Sequence, residues 1–299
     1  MITVDTRPLL ADAPQPVREA VAGLLGGHVV REESAVGGFT PSIASLVTGS
    51  DGRRLFVKAA PGGEGPAVPL AGAAGDLGPR LIAARTVGDW SIEVFEVVDG
   101  DTVTRWTSDD LDHLRLVVER MRDRMDPSPI GGTTPYAEAF VPLMADWRIL
   151  GPAKPPPITV PVERLAELAD RWLDVLAPGT ALHHGDLRRD NVIREPGGRL
   201  RIVDWTHLWT APGWMDLIRL LPDLAACGQD PELFLRSTCW HDTPADHIDV
   251  ALAGLASRAW RDCHLPGPFR LRHMQQEQAH HLLTWLDSRL RSRRPLSRG

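Results

Sequence analysis

The segment 181–217 constrains this chain more than any other. It carries His184-Gly185-Asp186, then Asn191 five positions after that aspartate, then Asp204 eighteen positions after it. Pro196-Gly197-Gly198 is a turn signal, and residues 200–203 read as a short strand that leads into Asp204. The pattern predicts a loop bearing Asp186 and Asn191, facing a hairpin strand that ends at Asp204.

Three oxygen donors converging at one point have a definite chemistry. Hard donors suit Mg²⁺, which binds through one or two protein ligands plus substrate phosphates. A carboxylate left off the metal can orient and deprotonate a hydroxyl. This division of labour is that of phosphoryl transfer. A turn or cap role for an isolated Asp or Asn is the bland alternative.

The flanking sequence separates into two halves. Residues 16–25 read as an amphipathic helix closed by Gly26-Gly27, followed by strand patterns at 28–31 and 45–48. Asp51-Gly52 is a hairpin turn before a strand at 54–59, and further strands are expected at 81–84 and 91–98. The Gly-, Ala- and Pro-rich run 61–78 reads as loop with at most one weak helical turn. Beyond Asp99-Gly100 the periodicity becomes helical. Ser108 is the expected N-cap of a helix with Leu111, Leu114, Val118, Met121 and Met125 as its stripe. More helices are expected over 165–176, after Asp216, and over 279–290. The fold class is α+β: a small antiparallel-sheet lobe over 1–98 and a larger helical lobe over 99–299.

Composition narrows the function. A net charge of −6 gives no electrostatic case for nucleic-acid binding. Three widely spaced cysteines fit a reducing compartment, and no stretch approaches the roughly 18 apolar residues of a spanning helix. The first ten residues lack an apolar core and do not read as a signal peptide, so no membrane partner and a cytoplasmic location are expected. Of the 33 basic residues, only Lys58 and Lys154 are lysine. Lys58 therefore stands out, in an apolar strand where arginine was the usual choice.

These residues together resemble the aminoglycoside phosphotransferase and choline-kinase-like family, which shares the bilobal protein-kinase-like fold. The matching pattern is H-G-D-x-x-x-x-N followed by apolar-apolar-D-W, here His184, Gly185, Asp186, Asn191, Ile202, Val203, Asp204 and Trp205. The run 37–41 before Phe56-Val57-Lys58-Ala59 is similar to that family's nucleotide loop and lysine strand, and 95–100 to its interlobe linker. The resemblance implies ATP, or another NTP, and Mg²⁺ as cofactors, with a small-molecule hydroxyl as acceptor, an antibiotic or a metabolite. Asp186 would be the catalytic base, and Asn191 and Asp204 the Mg²⁺ ligands. Lys58 would neutralise phosphates contacted by the backbone of Gly38, Phe39, Thr40 and Ser42. Glu96 to Val98 would face adenine, and His184 and Asp216 would support the loop.

The chain departs from that pattern in one place. Kinase-fold lysines usually pair with a glutamate on the following helix, yet between Lys58 and Pro79 the only acids are Glu64 and Asp76. Either Glu64 substitutes from a loop or Lys58 is poorly paired, which keeps a non-catalytic ligand-binding protein as the alternative. Residues 217–299 hold nine acids against eleven arginines. That balance favours a neutral or anionic acceptor over a polycation.

Overall fold

The computed structural model describes residues 7–35, 42–63 and 65–293. In chain order the strands are β1 (Val29–Ser34), β2 (Ile43–Gly49), β3 (Arg54–Pro61), β4 (Leu81–Val87), β5 (Trp90–Phe95), β6 (Asp101–Thr102), β7 (Thr134–Pro135), β8 (Ala181–His183), β9 (Val192–Arg194), β10 (Leu200–Ile202) and β11 (Trp209–Ala211). The helices are α1 (Gln15–Leu25), α2 (Ala67–Ala74), α3 (Asp110–Met125), α4 (Tyr136–Phe140), α5 (Trp147–Ala153), α6 (Val162–Asp170), α7 (Trp172–Leu176), α8 (Met215–Ala226), α9 (Pro231–Ser237), α10 (Ala245–Asp262) and α11 (Phe269–Ser292). No described helix is long and apolar enough to cross a membrane.

Two compact units result. One comprises Met1–Thr102 with Val192–His207, the other Val103–Asn191 with Leu208–Gly299. The expected split near residue 98 is close, but 192–207 joins the first unit rather than the second. The reason is hydrogen bonding: β9 pairs antiparallel with both β6 and β10, which ties the hairpin to the residues that follow the linker. Gly100 makes this approach possible, because a Cβ there would lie 2.3 Å from the Arg194 carbonyl oxygen.

In the first unit the five expected strands form an antiparallel sheet in the order β1-β2-β3-β5-β4. Val17, Val21 and Leu25 recur every four residues on α1 and pack with Val47, Leu55, Val57, Ile92 and Val94 into one apolar cluster. The run read as loop over 61–78 contains the eight-residue helix α2. Alanine's helix propensity and the burial of Leu70, Ala73, Ala74 and Leu77 outweigh the turn signals there.

The second unit is mostly helical, with a small sheet ordered β7-β11-β8. The Ser108 cap is corrected: α3 starts at Asp110, whose carboxylate accepts from the Thr107 N–H (2.8 Å) and hydroxyl (2.7 Å). The single helix expected over 165–176 is two, α6 and α7, parted at Arg171. The sequence pattern did not reveal α4, α5, α9 or α10. Residues 248–257 of α10 are all buried, so no polar face marks its period. At Gly254 the ring of Trp172 rests on the helix, and a Cβ would stand 2.2 Å from it.

Candidate active site

Asp186 follows β8 on a loop that the N-terminal turn of α8 holds. The Asp216 carboxylate accepts from the backbone N–H of His184 (2.8 Å) and Gly185 (3.0 Å), and lies 2.9 Å from His183 Nδ1. Gly185 takes φ +83°, which a side chain would strain. Burial alone would raise the Asp216 pKa, but the His183 ring and the backbone donors override it and bring it down to about 2. Burial also pushes the His183 pKa down, against the opposing pull of the Asp216 charge. Its Nδ1 meets Asp216, and its buried Nε2 has no hydrogen-bond partner.

The loop turns on its own groups next. His184 Nδ1 accepts from the Asp186 N–H (3.2 Å). Asn191 ends a short 3₁₀ turn, and its amide nitrogen donates to the Asp186 carbonyl (2.8 Å) and to Asp186 Oδ2 (3.3 Å). That orientation commits the nitrogen to the loop and leaves the Oδ1 carbonyl as the atom suited to a hard cation. The Asp186 side chain is 42% exposed, open enough to meet a substrate.

Three further residues take part that motif reading did not single out. Arg219 on α8 is buried, donates to Tyr136 Oη (2.9 Å) and lies 3.4 Å from Asp186 Oδ1. Arg188 grips Asp190 through two donors (3.1 and 2.9 Å) and sits 3.5 Å from Asp186 Oδ2. Asp223 on α8 accepts from the Arg189 N–H (2.7 Å) and pairs with its guanidinium (2.8 Å). Only α8's three-dimensional course along the loop reveals Arg219 and Asp223, whereas Arg188 lies on the loop itself. A cavity of about 160 Å³ opens here, and its charged lining is Arg188, Arg189, Arg219, Asp190, Asp223 and Glu277. Each lining acid already has an arginine partner, Glu277 being 3.0 Å from Arg189.

In the sheet unit, Lys58 of β3 forms an ion pair with Asp204 just beyond β10. Lys58 is thus not poorly paired, since a carboxylate reaches it from the hairpin; Glu64, the other partner expected for it, lies outside the described residues. Asp204 is the one non-glycine residue with positive φ among the described residues (+68°), a conformation uncommon outside glycine that a fixed role can sustain. Glu93, buried on β5, stands directly opposite Lys58 in the register.

The linker residues are also anchored in this unit. The Glu96 N–H donates to the Arg80 carbonyl (2.9 Å), so Glu96 has only its carbonyl left for a base, alongside the backbone of Val98. Its carboxylate takes Arg201 (3.0 Å) and the Arg80 N–H (3.0 Å). Burial works against that charge, yet these donors hold its pKa below the usual range. Gly38, Phe39 and Thr40 lie outside the described residues. Ser42 is described; it is buried, and its hydroxyl has no hydrogen-bond partner.

No group of three or more His, Cys, Asp or Glu side chains suited to a metal occurs among the described residues. Each of the two residues expected to serve Mg²⁺ carries a hard oxygen: the Asp204 carboxylate in the first unit and, in the second, the Asn191 carbonyl.

No family model matches the sequence, and no curated protein matches it. Solved structures do. An aminoglycoside phosphotransferase from Alicyclobacillus acidocaldarius is 14% identical with a TM-score of 0.63, over 94% of this chain and 97% of that one. Amicoumacin kinase hAmiN, solved with AMP-PNP, Ca²⁺ and Ami, is 12% identical with a TM-score of 0.62, over 92% and 95%. Choline kinase LicA from Streptococcus pneumoniae is 17% identical with a TM-score of 0.58, over 90% and 98%. The chain therefore has the α+β protein-kinase-like fold of the aminoglycoside phosphotransferases and choline kinase.

Proposed function

We propose that this protein transfers the γ-phosphoryl group of ATP to a hydroxyl of a small molecule. The observation that carries the reading is Asp186: a half-exposed carboxylate on a loop whose backbone is pinned by Asp216 and whose side chain is held by Asn191 and Arg219. An acceptor hydroxyl that donates to Asp186 is oriented for in-line attack on the γ-phosphorus. As the new O–P bond forms, the bond to the ADP oxygen breaks and the hydroxyl proton passes to Asp186. Lys58 supplies positive charge to the nucleotide phosphates. Asn191 and Asp204 would hold Mg²⁺, which when bound neutralises phosphate charge. ADP leaves with the negative charge that the terminal oxygen acquires.

The cavity is not lined by Asp186 itself, but it adjoins Arg188 and Arg219, which meet Asp186, and its charge favours a class of acceptor. Its three arginines and three acids cancel, and each acid is occupied by an arginine. A polycation needs carboxylates that are not already neutralised, so an uncharged or singly anionic hydroxyl compound suits this wall better. The alternative of a non-catalytic binding protein leans on α2, which carries no acid to pair with Lys58. Asp204 supplies that pairing instead and weakens the alternative.

The test is transfer from γ-labelled ATP across a panel of a nucleoside, a neutral sugar, a hydroxy acid and an aminoglycoside. Labelled product from one of the first three, and none from the aminoglycoside, is the expected result. ATP bound with no labelled product from any compound would leave the binding-protein reading standing instead.

A further inference from the structure

Asp216, Arg219 and Asp223 stand at positions i, i+3 and i+7 of α8 and so share one face of the helix. At about 1.5 Å per residue they cover roughly 10 Å of its length. Each meets the next part of the catalytic loop in sequence order: Asp216 meets residues 183–185, Arg219 meets Asp186, and Asp223 meets Arg189. The two acids hold backbone N–H groups. They also meet side chains, His183 for Asp216 and Arg189 for Asp223, but Arg219 alone of the three meets the side chain of the proposed base.

Building on the phosphotransferase reading, we propose that Arg219 is a positioning residue that sets the orientation of the Asp186 carboxylate for the acceptor hydroxyl. Its guanidinium fork reaches two ways at once, Nη1 to the buried Tyr136 hydroxyl and Nη2 toward Asp186. Tyr136 is itself fixed by contacts with Phe140, Trp172, His183 and Trp209. The fork is therefore aimed by a rigid aromatic cluster. Asn191 and Arg188 meet the other carboxylate oxygen, so the Asp186 group is held from both oxygens.

Stability alone does not account for Arg219. Its Nε is a buried donor with no hydrogen-bond partner, an arrangement that costs folding free energy. Its acidic partner is 42% exposed and would be well solvated without it. A buried cation with an unsatisfied donor, spent on a carboxylate that water could serve, fits a role in orientation.

The experiment is a double-mutant cycle of Arg219→Gln and Asp186→Asn, read as kcat and nucleotide KM with the best acceptor of the panel, with Tm measured for each variant. Arg219→Gln should lower kcat by about tenfold to a hundredfold, the scale of a misplaced reacting group, while nucleotide KM stays within about twofold. Arg219→Lys should recover part of the loss. In the Asp186→Asn background, the Arg219→Gln change should cost less than about twofold, because its effect acts through Asp186. Equal losses in both backgrounds would overturn the proposal and leave Arg219 a structural residue. If Arg219→Gln does not fold, Tyr136→Phe removes only the hydroxyl that holds the fork. It should lower kcat several-fold in the wild type and not in Asp186→Asn, and the reverse or an equal loss overturns the proposal. A folded wild type that binds ATP and transfers phosphate to nothing would instead overturn the phosphotransferase reading, and the role of Arg219 with it.

Discussion

The carboxylate of Asp204 holds the ammonium of Lys58 across 146 residues of sequence. A lysine with only 14% of its side chain exposed needs a counter-charge, and the hairpin that ends at Asp204 delivers it to the face of β3. The same two groups are those expected to meet nucleotide phosphates and a divalent cation. Their pairing gives the lysine a fixed place, and in the proposed reaction Mg-ATP would offer each group a new partner: phosphate for Lys58, the cation for Asp204.

Lys58→Ala should therefore raise the ATP KM and lower kcat/KM, since its charge acts in ground and transition states alike. Asp204→Ala should abolish the Mg²⁺-dependent part of thermal stabilisation by ATP, and Asn191→Ala should reduce it less. Thermal shifts with ATP, with and without Mg²⁺, check this. Undiminished Mg-ATP stabilisation of Asp204→Ala would remove Asp204 from the metal site.

Asp216 makes a pH prediction. Its carboxyl titrates at about 2 in the folded chain against 3.8 ordinarily. A depressed folded value contributes stability that is full above about pH 4 and is lost as pH falls toward 2, on the order of 2 kcal/mol in all. Urea midpoints measured between pH 5 and 3 should fall more steeply for the wild type than for Asp216→Asn. Parallel slopes would show that Asp216 does not carry this linkage.

Gly254→Ala tests the packing of the helical unit. The added methyl would meet the Trp172 ring at 2.2 Å inside the buried length of α10, where overpacking costs about 1–3 kcal/mol. A chemical-denaturation midpoint unchanged from the wild type would contradict that packing.

The legible parts of this molecule were those written in local spacing. His184, Asp186, Asn191 and Asp204 could be picked out because one loop and one hairpin hold them, and the five strands of the sheet because their turns carry Gly at fixed places. What escaped depends on distant segments. Arg219 and Asp223 look like ordinary helix residues until α8 lies along the loop. The partner of Lys58 could not be read from the residues that follow it, because it arrives from a hairpin far along the chain. α10 is hidden for the opposite reason: burial on every side erases the polar stripe that betrays a helix.

The measurement closest to the central claim compares wild type with Asp186→Asn for phosphate transfer from γ-labelled ATP, with nucleotide affinity determined on the same samples. Asp186→Asn should lose roughly two to four orders of magnitude in kcat with nearly unchanged ATP binding, the contribution of a positioned base. A variant that keeps more than about a tenth of wild-type turnover would contradict it and remove Asp186 from the chemistry.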